Sequence, residues 1–206
     1  MLILASGSPR RAKILRDLGI AFTVVKSDAQ EVSYPHDPER TVKENALAKG
    51  AAVSYPTRLA SRALANATRM HRQSRREAVA RVLRERCGYG VLSADTIVWY
   101  NGRIYGKPKD LAEAKEYLGE LSGNVHTVFT GVAYNGEVKV VKSDVKFRRL
   151  SEAMIDEYVA RVKPTDRAGA YDIDESGDLI VESYTGSYEN IMGLPVEPLR
   201  DWRIVR

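Results

Sequence analysis

A single cysteine, Cys87, stands in 206 residues, so no intrachain disulfide can form and a disulfide-stapled scaffold is excluded. A cytoplasmic, reducing setting is the expectation from that count. Histidine is nearly as scarce. His36, His71 and His126 have no metal-ligand spacing and read as solvated or satisfied side chains. Nothing resembles a Cys/His zinc cluster or a Ser–His–Asp set. No apolar run approaches the roughly 18 residues that a membrane span needs. In the opening MLILASGSPRR the apolar part is too short for a secretory leader, and the charges follow it. The chain has no GxxxxGK[ST] loop, no internal repeat and no low-complexity tract.

What is present suits one sizeable soluble domain or two closely joined lobes: 44% of residues are hydrophobic and 29% charged, enough for both a core and a solvated surface. The net charge of +5 would suit nucleic acid if it were spread over the chain. It is not. Residues 57–87 carry nine arginines against Glu77 and Glu85, a net of +7, so the remainder sums to −2. That segment contains no Gly or Pro and reads as an Arg-rich helical insertion, while nucleic acid is not the partner that the remainder favours.

Residues 1–6 read as a buried strand. Ser8 then offers an N-cap and Pro9 suits the first helical position, with Gly19 as a stop. A second strand falls at 22–25, and Asp37-Pro38 opens a helix running toward Tyr55. A strand at 91–100, an Asn101-Gly102 turn and a strand at 103–105 form a hairpin. Asp110 and Glu113 resemble a capping box for a helix to Leu121. Two further strands near 125–134 and 137–148 flank Asn135-Gly136. Ser151 caps a helix to about Val162, a Gly-rich loop at 168–177 leads to a strand at 179–184, and a short helix ends the chain. Helices separated by hairpins predict an α/β fold with a mixed sheet flanked by helices.

Several stretches carry candidate chemistry. At 5–11, ASGSPRR ends a strand and starts a helix, and free N–H groups at a helix start suit phosphate. Ser6 and Ser8 add hydroxyls there, and Arg10 and Arg11 add guanidinium forks. Asp95 and Thr96 lie inside an apolar strand, where a bare carboxylate is costly unless it is near the strand end, paired or bound to a cation. Lys107 and Lys109 sit on a proline-stiffened loop. Asn45 and Lys49 share one helix face, and Glu31 lies upstream in a polar loop. Small residues and tyrosines at 168–174 and 186–195 suit either a wall for a nucleobase or a sharp turn over core aromatics.

Taken together, LILASGSPRRAKILRDLGI (2–20), ENALAKG (44–50), SADTIVWYNGRIYGKPKD (93–110), GNVHTVFTGVA (123–133) and AGAYDI with GSYENIMGLP (168–195) resemble the Maf family of nucleotide pyrophosphatases. The resemblance implies a single domain over 1–206, two-lobed and inosine-triphosphatase-like, with a mixed twisted sheet and a central cleft. Residues 57–87 are an insertion within it. It implies Asp95 as general base, Glu31 as the acidic partner, Lys49, Lys107 and Arg11 on phosphate, and Ser6 and Ser8 at the opening. Its substrate-sorting positions match Arg10, Thr96 and Asp174. The first two follow the branch that acts on dTTP and UTP, and Asp174 replaces a Gln.

The expected reaction releases pyrophosphate from a nucleoside triphosphate, as nucleotide-pool housecleaning. Glu31 and Asp95 would hold Mg²⁺ or Mn²⁺, since hard oxygen ligands suit those ions. Two other readings stay open at this point: a preference for 7-methyl-GTP or another modified base, and a nucleotide- or nucleic-acid-binding regulator of cell division. A homodimer is compatible with the sequence, and no membrane partner is expected.

Overall fold

The computed structural model describes residues 2–53 and 90–205. A continuous apolar run makes β1 (Leu2–Leu4) a fully buried strand. Helix α1 (Pro9–Asp17) begins where the Ser8 hydroxyl accepts from the Arg11 N–H with Pro9 in the first turn, and it buries Ala12, Ile14 and Leu15. Strand β2 (Phe22–Val24) returns parallel to β1. Helix α2 (Pro38–Ala52) starts from Asp37, whose carboxylate accepts from the Arg40 N–H. Strand β3 (Gly90–Tyr100) lies parallel to β1 on its other side. Asn101 and Gly102 both take positive φ, 47° and 78°, the twist a two-residue hairpin needs, and β4 (Arg103–Tyr105) folds back on β3.

Helix α3 (Leu111–Leu121) is capped by Asp110, and the Glu113 carboxylate reaches back to the Lys109 N–H at 2.6 Å. Strands β5 (Val125–Tyr134) and β6 (Glu137–Phe147) form a second hairpin over Asn135-Gly136. Helix α4 (Glu152–Val162), strand β7 (Val181–Thr185) and the short helices α5 (Tyr188–Met192) and α6 (Glu197–Asp201) complete the order. The sheet has seven strands in the order β2-β1-β3-β5-β6-β7, with β4 beside β3. It is an open mixed sheet flanked by helices, as the sequence predicts.

Strand alternation gives β3 two distinct faces. Leu92, Ala94, Thr96 and Val98 share one face, opposite Tyr134, Val132, Thr130 and Val128 of β5. The apolar pairs at the two ends of this face join separate cores. Leu92, Ala94 and Val132 pack with α1 and with Met192, Leu194 and Leu199. Val98 and Val128 pack with α3, α4, Tyr171 and Ile180. The two threonines lie between these cores. Helix α2 covers the opposite face, where Val42 packs on Ile97 and Phe129.

The edge of β3 is interrupted. β1 accompanies it only as far as Leu4 opposite Leu92, where the Ala5 N–H donates to the Leu92 carbonyl at 2.7 Å. β4 takes up the same edge from Val98 opposite Tyr105. Among the described residues, 93–97 therefore have no strand beside them on that side, and the chain leaving β1 and the chain leaving β4 face each other across the break.

The boundaries differ modestly from those the sequence suggests. β1 closes at Leu4 because the Ser6-Gly7-Ser8 turn must precede the helix, and the strand expected at 179–184 is shifted to Val181–Thr185 because a 3-10 turn occupies Gly177–Leu179. The expected course of α2 toward Tyr55 and the Arg-rich segment 57–87 lie outside the described residues. No helix among the described residues is long and apolar enough to cross a membrane.

Candidate active site

A cleft of about 640 Å³ fills the break in the β3 edge. Ser6, Ser8, Arg10 and Arg11 line it from the β1–α1 connection, and Glu31 from the loop after β2. Lys49 comes from α2, Asp95 and Thr96 from β3, and Lys107 from the loop after β4. Of the site residues that the family resemblance implies, Asp174 alone does not line it. Asp174 instead pairs with Lys13 at 3.2 Å and accepts from the Tyr188 hydroxyl at 3.2 Å.

Asp95 is 5% exposed, and such a carboxylate needs compensation. It gets two partners from α2. The Asn45 amide donates to one carboxylate oxygen at 3.0 Å, and the Lys49 ammonium donates to the other at 2.5 Å. Lys49 also reaches Glu31 at 2.7 Å, so one ammonium bridges two carboxylates. Burial alone would raise the Glu31 pKa. The hydrogen bond and charge of Lys49, with the charges of Lys107 and Arg11, outweigh it and leave the carboxyl below its usual value. Asn45 fixes this loop as well, because it accepts from the Val32 N–H at 2.8 Å and donates to the Val32 carbonyl at 3.0 Å.

Arg11 is held without a direct carboxylate partner among the described residues. Its Nε donates to the Gly193 carbonyl at 2.7 Å, and its two terminal nitrogens donate to Ser6 at 3.0 Å and Thr96 at 2.9 Å. Burial lowers its pKa to about 10 and the Arg10 charge adds to the fall, while the Asp95 and Glu31 charges oppose it. It stays charged at neutral pH, a half-buried cation that lines the cleft. Thr96 in turn contacts Thr130 at 3.0 Å, and Thr130 donates to the Asn190 carbonyl at 3.1 Å, which ties the site to α5.

Arg10 turns to the other end. It donates to Asp172 at 3.4 Å and lies 3.8 Å from Asp166, while Arg167 shares Asp172 at 2.9 Å. Val98, Val128, Ala168, Tyr171 and Ile191 give that end an apolar lining. The cleft is thus graded, with cations and two carboxylates beside the helix start at one end and apolar side chains with the Arg10–Asp172 pair at the other.

Sequence reasoning missed part of this set. Asn45 carried a signal in its spacing from Lys49, but nothing local says that it bonds a strand fifty residues away. Lys26 and Asp172 also line the cleft. A lysine after a short exposed strand has no distinguishing mark in a sequence, and Asp172 sits in a stretch that equally describes a turn.

The geometry defines a class: an open-sheet α/β protein with a graded cleft at a strand break, one end charged for a polyanion and the other shaped for an apolar or aromatic group. The chain belongs to the Maf family, since the family model described as "Maf-like protein" matches residues 1–202. It is 38% identical over 202 residues to a dTTP/UTP pyrophosphatase of Bacillus cytotoxicus, covering 96% of this chain and 91% of that one. A protein of the same name from Bacillus thuringiensis subsp. konkukian is 37% identical over 203 residues, with 96% and 91% covered. Another from Bacillus anthracis is 36% identical with the same coverage.

Proposed function

We propose that this chain hydrolyses dTTP and UTP to the nucleoside monophosphate and pyrophosphate. The observation that carries this reading is the convergence of Arg11, Glu31, Lys49, Asp95 and Lys107, from five separate stretches of sequence, on one cleft. The names of the relatives supply the nucleotide, and the graded cleft accommodates it: triphosphate at the charged end, base against Tyr171 and its neighbours.

Asp95 is the general base in this reading. Asn45 occupies one carboxylate oxygen, leaving the oxygen beside Lys49 to take the proton of the attacking water. Lys49 then has a second role. Attracted by an incoming phosphate, its ammonium loosens from Asp95 and neutralises charge that develops on the phosphoryl oxygens. The water attacks the alpha phosphorus, the alpha–beta anhydride bond breaks, and pyrophosphate leaves with Arg11 and Lys107 compensating its charge.

A divalent cation fits the donor set. Glu31 and Asp95 supply hard oxygens, and Mg²⁺ is commonly held by one or two carboxylates completed by substrate phosphates. Among the described residues no cluster of three or more His, Cys, Asp or Glu would hold an ion without substrate. When bound, the ion would offset phosphate charge and polarise the phosphoryl oxygens.

A pyrophosphate-release screen over canonical and modified nucleoside triphosphates, each with Mg²⁺, Mn²⁺ or chelator, tests this. dTTP and UTP should lead, and Asp95→Asn should lose about 10²–10⁴-fold in turnover while keeping its melting transition. Release of pyrophosphate by Asp95→Asn at the wild-type rate removes the base role. Silence from every triphosphate overturns the activity.

A further inference from the structure

The partnering of the cleft's cations points to one residue that has no role so far. Lys49 is committed to Glu31 and Asp95, and Arg10 to Asp172 and Asp166. Three cleft cations remain that make no ion pair among the described residues: Arg11, Lys107 and Lys26. Arg11 lies deep, beneath Ser6 and Thr96. Lys26 is exposed and stands at the outer lip.

Its position is set by the fold. The β2 ladder extends one step past Val24, with the Val25 N–H donating to the Leu4 carbonyl at 3.0 Å, which delivers Lys26 beside the turn that follows β1. The Lys26 stem then lies along Gly7. A Cβ added to Gly7 would come within 3.4 Å of its Cγ and Cε and 3.6 Å of its Cδ. The aliphatic stem therefore runs along the loop carrying Ser6 and Ser8, while the residue stays exposed and its ammonium is open to solvent or ligand.

We propose that Lys26 binds the outermost phosphate of the substrate and makes the cleft prefer triphosphates over diphosphates. This rests on the pyrophosphatase reading. The inner phosphates meet the deep set of Arg11, Lys49 and the helix start, so a third phosphate projects toward the lip, where Lys26 and Lys107 make no ion pair among the described residues. A nucleoside diphosphate ends short of that lip and gains nothing from Lys26.

The test compares wild type, Lys26→Met, which keeps the stem, and Lys26→Arg, which keeps the charge. For dTTP or UTP, Lys26→Met should raise KM by about tenfold, as loss of one partly screened charged contact implies, with kcat within about twofold. Affinity for the nucleoside diphosphate should be unchanged, and Lys26→Arg should restore most of the triphosphate KM. Titration calorimetry with inorganic tripolyphosphate supplies a second readout, with Lys26→Met binding about tenfold more weakly. An active wild type with equal KM in Lys26→Met overturns the assignment and leaves the pyrophosphatase reading standing. If no triphosphate is hydrolysed, that reading fails, and calorimetry still decides for Lys26: equal tripolyphosphate affinity overturns it, and weaker binding by Lys26→Met supports it.

Discussion

At the scale of single residues, His126 is the most sharply perturbed base outside the charged end of the cleft. It is 1% exposed, wedged edge-on against Phe147 and Tyr171, with Nε2 3.0 Å from the Tyr171 hydroxyl and no partner for Nδ1 among the described residues. Burial lowers its pKa to about 3. A histidine of the unfolded chain takes up its proton near 6.5. Between these values the unfolded state binds the extra proton, so stability falls as pH falls, by up to about 1.4 kcal/mol per pH unit from this residue. The contribution is complete above pH ~6.5 and decays toward about 3. Urea unfolding at pH 7, 6 and 5 should show a steeper acid loss for wild type than for His126→Phe. Parallel pH slopes for the two proteins would falsify the assignment of this acid sensitivity to His126. Since Tyr171 lines the cleft, the same pair helps to hold its apolar end across the neutral range.

At the scale of elements, the site depends on how closely α2 lies on the sheet. Gly131, opposite Asp95 on β5, makes that approach possible: a Cβ there would fall 2.4 Å from the Val42 carbonyl oxygen and 2.6 Å from its carbon. Backbone cannot yield as a side chain tip can, so Gly131→Ala must push α2 outward. The overpacking costs about 1–3 kcal/mol, and Asn45 and Lys49 move with the helix. Gly131→Ala should therefore lower both the unfolding free energy and kcat, the latter even where the protein is fully folded. Gly119 in α3 has nothing within 4 Å of an added Cβ, so Gly119→Ala should leave kcat unaltered and stability the same or slightly higher. Similar losses from the two substitutions would sink the packing argument. The caps at Ser8, Asp37, Asp110 and Ser151 and the turns at Asn101-Gly102 and Asn135-Gly136 were legible because each is a local bargain between one side chain and its own backbone. The approach at Gly131 was not, because it is a contact between segments far apart in sequence. The break between β1 and β4 was hidden for a related reason. Local patterns give strand lengths, whereas the edge at 93–97, unpaired among the described residues, exists only once three strands are in register. The cleft's chemistry was therefore visible as residue types, and its location was not.

At the scale of the whole molecule, the cleft gathers segments that otherwise touch little: the turn after β1, the loop before α2, the middle of β3, the loop after β4 and the chain around Gly193. Opposed charges keep these together without ligand, through Lys49 on Glu31 and Asp95, while Arg11, Lys26 and Lys107 line the same cleft and make no ion pair among the described residues. A bound triphosphate should draw all of these segments into one cooperative unit. A ligand that binds only the native state adds about 2.7 kcal/mol at one hundred times its dissociation constant, and for a chain of this length each kcal/mol moves the melting temperature by roughly 2–4 °C. A dTTP or UTP analogue with a non-hydrolysable alpha–beta bridge, supplied with Mg²⁺ or Mn²⁺, should raise the melting temperature by about 5–10 °C on that arithmetic. Chelator should shrink the shift, because the ion offsets phosphate charge beside Glu31 and Asp95. Glu31→Gln should lose most of the metal-dependent part while keeping the part due to Arg11 and Lys107. A shift of equal size with chelator present removes the metal from the site, and no shift from any triphosphate means that the charged end of the cleft is not a polyphosphate site.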